Sequence, residues 1–223
     1  MVLLFPALLF GRDPSYNAQT LKPAASVGNY LGVSGSQTIP RGRFSLGLFV
    51  DYGQEPVILE RAGVKVQNLI GREIEAHLTA GVGVLDWLDV GLLVSGAPYI
   101  QFQPQGSATT ETRVRMGDVT LNGRFRLVNN EKAPIGLAFM PFVTIPTGNG
   151  NSFVGNNQFS GGGLLILETP RFADRFSIAL NAGYELREQA LLARDVGTVP
   201  PTDTTIDDLV LYGASANLAV HPS

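Results

Sequence analysis

The chain has 223 residues, enough for one large all-β domain or two small ones, and only 16% of them are charged, well under the roughly 25% of ordinary soluble domains. Its net charge of −3, with no cluster of Lys and Arg anywhere, argues against a nucleic-acid partner. The absence of Cys excludes disulfides, thiolate metal sites and a lipidated N-terminal Cys, and no apolar run reaches the roughly 18 residues of a membrane helix, so any bilayer crossing must be made by strands.

Residues 1–41 show no period and are expected to form an irregular N-terminal segment. Within it Met1–Phe10 is apolar, is interrupted by Pro6 and lacks basic residues, so it reads either as the remnant of a signal peptide or as a frayed extension. Residues 42–223 are expected to form one β-barrel domain.

The first clear strand is Phe44–Tyr52, with Phe44, Leu46, Leu48, Val50 and Tyr52 on one face and Ser45, Gly47 and Asp51 on the other; Phe49 breaks the rule. Gly53–Gly71 reads as a long connection, within which Pro56–Glu60 either extends the strand or wanders. Arg72–Ser95 then holds the longest alternation in the chain. Ile74, Ala76, Leu78, Ala80, Val82 and Val84 are apolar, while Glu73, Glu75, His77, Thr79, Gly81 and Gly83 are charged, polar or small. After Leu85-Asp86-Trp87 the pattern resumes, with Leu88, Val90, Leu92 and Val94 against Asp89, Gly91 and Ser95, as in an antiparallel hairpin. Opposed residues share a face, so Val84 must lie across from Leu88 or Val90, which requires an odd-numbered turn or a bulge.

Gln103–Thr112 is a polar loop, after which Val119, Leu121, Gly123, Phe125 and Leu127 alternate with Thr120, Asn122, Arg124 and Arg126. The short turn Asn129–Pro134 leads to a strand with Ile135, Leu137, Phe139, Val143 and Ile145 on one face, and Pro141 on that face marks a bulge or a local break in the ladder. Pro146–Gln158 is a long polar loop. Phe159–Glu168 is another strand, but Leu164–Leu167 is apolar at both parities, so its facing stays unassigned. Beyond the turn Thr169–Asp174, Phe176, Ile178, Leu180, Ala182, Tyr184 and Leu186 alternate with Ser177, Ala179, Asn181, Gly183, Glu185 and Arg187. A last loop, Glu188–Ile206, precedes a strand in Asp207–Val220.

Eight strands result, and their connections alternate between long and short. All the long ones fall at one end, which is the asymmetry of an up-and-down transmembrane β-barrel with short periplasmic turns and longer external loops. A soluble barrel or sandwich would carry a solvated face rich in Lys, Glu and Thr, whereas the second face here is Gly, Ala, Ser, Thr and Asn with few charges. With the apolar face toward lipid, the lumen-facing polar candidates are Asp51, Glu73, Glu75, His77, Asp89, Asn122, Arg124, Arg126, Asn181, Glu185, Arg187 and Asn217. Asp89 is placed to pair with Arg124 or Arg126 on the next strand. Phe44, Trp87, Phe125 and Phe176 toward the short turns, and Tyr52, Tyr184 and Tyr212 toward the long loops, fit two interfacial girdles.

The segments Leu21–Leu59, His77–Val94 (HLTAGVGVLDWLDVGLLV), Met116–Val128 (MGDVTLNGRFRLV), Thr144–Gly150 (TIPTGNG) and Leu180–Glu188 (LNAGYELRE) together resemble the N-terminal barrel region of OmpA-family outer-membrane proteins of the myxobacterial type. The resemblance implies an integral outer-membrane barrel, a structural membrane protein or a narrow pore for small solutes, with outer-membrane lipid as partner. It also implies further strands and a peptidoglycan-binding domain that this chain does not contain, so a truncated chain and an incomplete barrel are expected. No catalytic residue, cofactor or metal is expected. Two other readings compete: a hydrolase with a rim site of Asp51 and His77, and a soluble β-sandwich binding module. No Ser lies in a G-x-S-x-G elbow, and Gly81-Val82-Gly83 lacks the third Gly of a dinucleotide site. Asp203–Asp208 and Gly148–Asn157 lack calcium-loop spacing and are expected to be solvated loops.

Overall fold

Side chains that alternate between apolar and polar along most of the strands are satisfied by one sheet whose two faces meet different media. The chain adopts this architecture in a computed structural model, which describes residues 23–24, 29–30, 32–61, 64–103, 109–148, 154–155, 158–170, 172, 176–187, 190–195 and 202–218. The strands are β1 (Phe44–Arg61), β2 (Val64–Leu85), β3 (Leu88–Phe102), β4 (Glu111–Val128), β5 (Gly136–Ile145), β6 (Ser160–Glu168), β7 (Phe176–Arg187), β8 (Ala190–Asp195), β9 (Thr202–Ile206) and β10 (Leu209–Leu218). Eight of them form one curled antiparallel half-barrel in the order β1-β2-β3-β4-β5-β6-β7-β10, while β8 and β9 make a separate hairpin. Among the described residues no second sheet packs face to face on the large one, as a β-sandwich would require. Among the described residues β1 and β10 each have one neighbour, so the described sheet is open between them.

The facing is decided by burial. Leu48, Leu78 and Leu180 on the convex side are 69%, 51% and 48% exposed, whereas Glu75 and Arg124 on the concave side are 5% and 1% exposed. This inverts a water-soluble protein. The aromatic residues Phe44, Trp87, Tyr52, Tyr184 and Tyr212 are also exposed, and Phe125 is half-buried with its ring 6.2 Å from that of Trp87.

Two expected loops are sheet instead. Gly53–Gly71 continues β1 and β2 through irregular pairings as far as Arg61↔Val64. The bulges there break the alternation, which is why the segment reads as a connection. Glu188–Ile206 contains the β8–β9 hairpin. The β2–β3 turn is the two residues Asp86 and Trp87, with a register shift between Gly83↔Asp89 and Leu85↔Leu88, so Val84 is the bulge that parity demands. At Pro141 the pairing of β4 with β5 lapses between Asn122↔Phe142 and Phe125↔Phe139 and resumes in the same register, a local break rather than a bulge. In β6, Leu164 and Ile166 face inward beside Ala138 and Met140, and Leu165 and Leu167 face outward.

Residues 29–30 and 32–40, expected only to be irregular, cross the concave face near the short turns. Their backbone comes so close to β2 that a Cβ on Gly83 would stand 2.2 Å from the Pro40 carbonyl oxygen. Only a glycine admits that approach.

Candidate functional site

The concave face has a polar floor near the short turns. Arg124 on β4 is fully enclosed and donates from Nη2 to Asp89 Oδ2 at 2.7 Å, from Nε to the same oxygen at 3.3 Å, and from Nη1 to the Gly35 carbonyl at 2.9 Å and to Asn29 Oδ1 at 3.0 Å. Asp89 Oδ2 also accepts from the Ile39 N–H at 2.8 Å. Arg126 turns away from Asp89, to Gln37 Oε1 at 3.0 Å and the Asp86 carbonyl at 2.6 Å, so of the two pairings open to Asp89 the structure forms the one with Arg124.

Further round the sheet, Glu168 accepts from Ser36 N–H at 2.6 Å and Ser36 Oγ at 2.7 Å, and from the Tyr30 hydroxyl. Asn181 receives the Ser34 N–H at 2.7 Å and returns a bond to the Ser34 carbonyl at 2.8 Å. An aperiodic strap with few apolar residues is thus held by buried side chains from β3, β4, β6 and β7. Its backbone groups satisfy charges that a narrow interior would otherwise leave costly.

The opposite end is apolar. Val57, Leu69, Ile70, Ala97, Ile100 and Phe102 form a buried cluster, joined by Val154 from the β5–β6 connection. That connection is held inward by Asp118 Oδ1, which accepts from Gly148 N–H at 3.0 Å. The rest of Gly148–Asn157 lies largely outside the described residues.

Between floor and ceiling sits a carboxylate cluster. The spacing of Glu73, Glu75 and His77 puts them on one face of β2, and the register sets Asp51 of β1 directly across from Glu75. His77 is fully buried, its Nδ1 3.0 Å from Ser95 Oγ on β3; its Nε2 stands 3.4 Å from Glu75 Oε2 and 3.7 Å from Asp51 Oδ1. None of these three atoms, nor Glu73 Oε1, has a hydrogen-bond partner. Asp51 and His77 do come together, but below the apolar ceiling rather than at a rim, and the acids face Nε2 while Ser95 takes Nδ1. In a Ser-His-Asp hydrolase the ring is turned the other way.

Of the remaining lumen candidates, Asn122 is buried, and Glu185 is buried with Ser160 Oγ donating to it at 2.7 Å. Arg187 and Asn217 are half-buried near the two ends. The Arg187 N–H donates to Asp208 Oδ1 at 3.0 Å, and the Tyr184 hydroxyl to Asp208 Oδ2 at 2.8 Å; these bonds, the tyrosine's first, hold the Asp208 carboxyl below its ordinary range. The side chain of Asp203 lies outside the described residues. Sequence reasoning missed the strap's contacts and the place of Asp51 beside Glu75, because both depend on register and long-range approach.

With this geometry in view, residues 34–219 match the family described as "Putative MetA-pathway of phenol degradation". The chain belongs to this family. The matched stretch begins in the strap and runs through all eight strands of the large sheet, so strap and sheet fall within one family unit. It is this family, rather than the OmpA family that the quoted segments resemble, that the match reports. Family and fold agree on a barrel-like protein of the envelope type. No curated protein matches the chain.

Proposed function

We propose that the protein is a non-enzymatic outer-membrane β-barrel that provides a narrow passage for small solutes, with phenolic compounds as the class the family description suggests. The observation that carries the reading is the inverted burial: exposed Leu, Val and aromatic side chains outside, and enclosed Arg124, Asp89, Glu75 and Glu168 inside. Water gives no reason to keep an apolar surface of that extent, while a hydrocarbon layer does. The segments that resemble OmpA-family barrels support the same location.

The open edges bear on how the passage is completed. Unpaired backbone groups in a bilayer each cost several kcal/mol, so β1 and β10 take on further strands in the assembled barrel. The apolar ceiling of Ile70, Ile100 and Phe102 above a polar floor suits a solute with a ring and a hydroxyl. Planar-bilayer recording tests this: the protein in lipid should give discrete conductance steps that phenol reduces. A folded, membrane-inserted and silent protein would leave only the structural role.

A further inference from the structure

We propose that Asp51, Glu75 and His77 form a binding site for a divalent transition-metal ion of the Zn2+ class, with Ser95 orienting the histidine. The site is independent of whether the barrel conducts.

Three observations converge on it. First, Asp51 and Glu75 are directly opposed across β1 and β2, and like charges so placed repel. Among the described side chains no Lys or Arg pairs with either, or with Glu73 beside them. Second, His77 is fully buried, and its Nε2, with Asp51 Oδ1 and Glu75 Oε2, lacks a hydrogen-bond partner. One donor atom from each of the three residues lies within 4.8 Å of the other two. When Nδ1 donates to Ser95 Oγ, Nε2 turns its lone pair toward two carboxyl groups, an arrangement that a bound cation would satisfy.

Third, the distances fit. Donor atoms held about 2.0–2.2 Å from a tetrahedral Zn2+ stand roughly 3.3–3.6 Å apart. Here Nε2 lies 3.4 Å from Glu75 Oε2 and 3.7 Å from Asp51 Oδ1, too far for good hydrogen bonds and close to the spacing of ligands on one ion. An imidazole beside two carboxylates favours a transition metal over Mg2+ or Ca2+. Three protein ligands leave a fourth position for water or for Glu73. The Asp51 side chain, 30% exposed, gives the ion a way in. Once bound, the ion would neutralise the cluster and tie the edge strand β1 to β2.

The test is calorimetric titration of the untagged full chain, folded in detergent, with ZnCl2, repeated with MgCl2 and CaCl2. One Zn2+ should bind per chain, unaffected by a tenfold excess of Mg2+ or Ca2+. His77→Ala should weaken binding at least 100-fold, Ser95→Ala about 10-fold, as expected for loss of an orienting partner. His221→Ala should bind as the unaltered chain does. Co2+ provides a second readout on the unaltered chain, which needs no variant to fold: a tetrahedral visible absorption band should appear at one equivalent and vanish on adding Zn2+. The proposal is overturned if no Zn2+ binds at millimolar concentration, if Mg2+ displaces it, if Co2+ gives no such band, or if His77→Ala and Asp51→Asn bind like the unaltered chain. The last result would place the bound Zn2+ outside this cluster.

Discussion

Replacing Arg124 by Met removes the cation at the centre of the polar floor while keeping much of its volume. Asp89, fully buried, would then lose bonds of 2.7 and 3.3 Å from the guanidinium and keep the Ile39 N–H; the Gly35 carbonyl and Asn29 would lose a donor as well. Breaking a buried ion pair from one side costs about 3–5 kcal/mol, because the surviving charge stays enclosed. Trp87, the single tryptophan, lies at the same end of the sheet against Phe125, so its fluorescence can follow urea unfolding in lipid vesicles. Arg124→Met should lower the unfolding free energy by that amount, while Lys132→Met in the exposed β4–β5 turn changes it by less than about 0.5 kcal/mol. Replacing Asp89 by Asn in the same chain should recover part of the loss, a coupling of more than about 1 kcal/mol. An Arg124→Met protein within about 1 kcal/mol of the unaltered one would refute the assignment of this pair to a dry interior.

Gly83→Val places a side chain where the Pro40 and Ile39 carbonyl oxygens stand 2.2 and 2.4 Å from the Cβ position, so it should expel the strap and destabilise the fold by roughly 1–3 kcal/mol or more; limited proteolysis should then cut within residues 29–40, and unchanged resistance would count against the strap. Deleting residues 1–40 should raise single-channel conductance in planar bilayers several-fold if the strap narrows the lumen; an unchanged value would place the constriction at the apolar ceiling. Leu180→Arg should cost about 2–4 kcal/mol for insertion into vesicles, read from the urea dependence of the folded fraction, and a cost near zero would contradict a lipid-facing position.

The barrel-like sheet was legible because period-two patterning is a local property, written into most of the strands between Phe44 and Leu218. It failed where local pattern and environment part. Leu164–Leu167 is apolar at both parities because the inner face is apolar there too, with Ile166 and Leu164 beside Ala138 and Met140. The outer halves of β1 and β2 looked like a loop because their bulges reset the alternation between Gln54 and Val57 and between Ile70 and Arg72. The strap could not be read at all, since its residues carry no period, and Asn29, Tyr30, Ser34–Ser36 and Ile39 owe their place to Asp89, Arg124, Glu168 and Asn181. The spacing of Glu73, Glu75 and His77 did reveal one shared face. What it could not reveal was the opposing residue, which only the pairing Asp51↔Glu75 supplies.

The chain has no native cysteine, so single cysteines along β10 can report its two faces directly. Ala214→Cys and Ala216→Cys lie on the exposed side, Ser215→Cys and Asn217→Cys on the inner side. Each would carry an environment-sensitive fluorophore in vesicles whose acyl chains are brominated. Lipid as the medium of the apolar face predicts strong quenching at 214 and 216 and weak quenching at 215 and 217. Equal quenching at all four positions, or the reverse alternation, would contradict it.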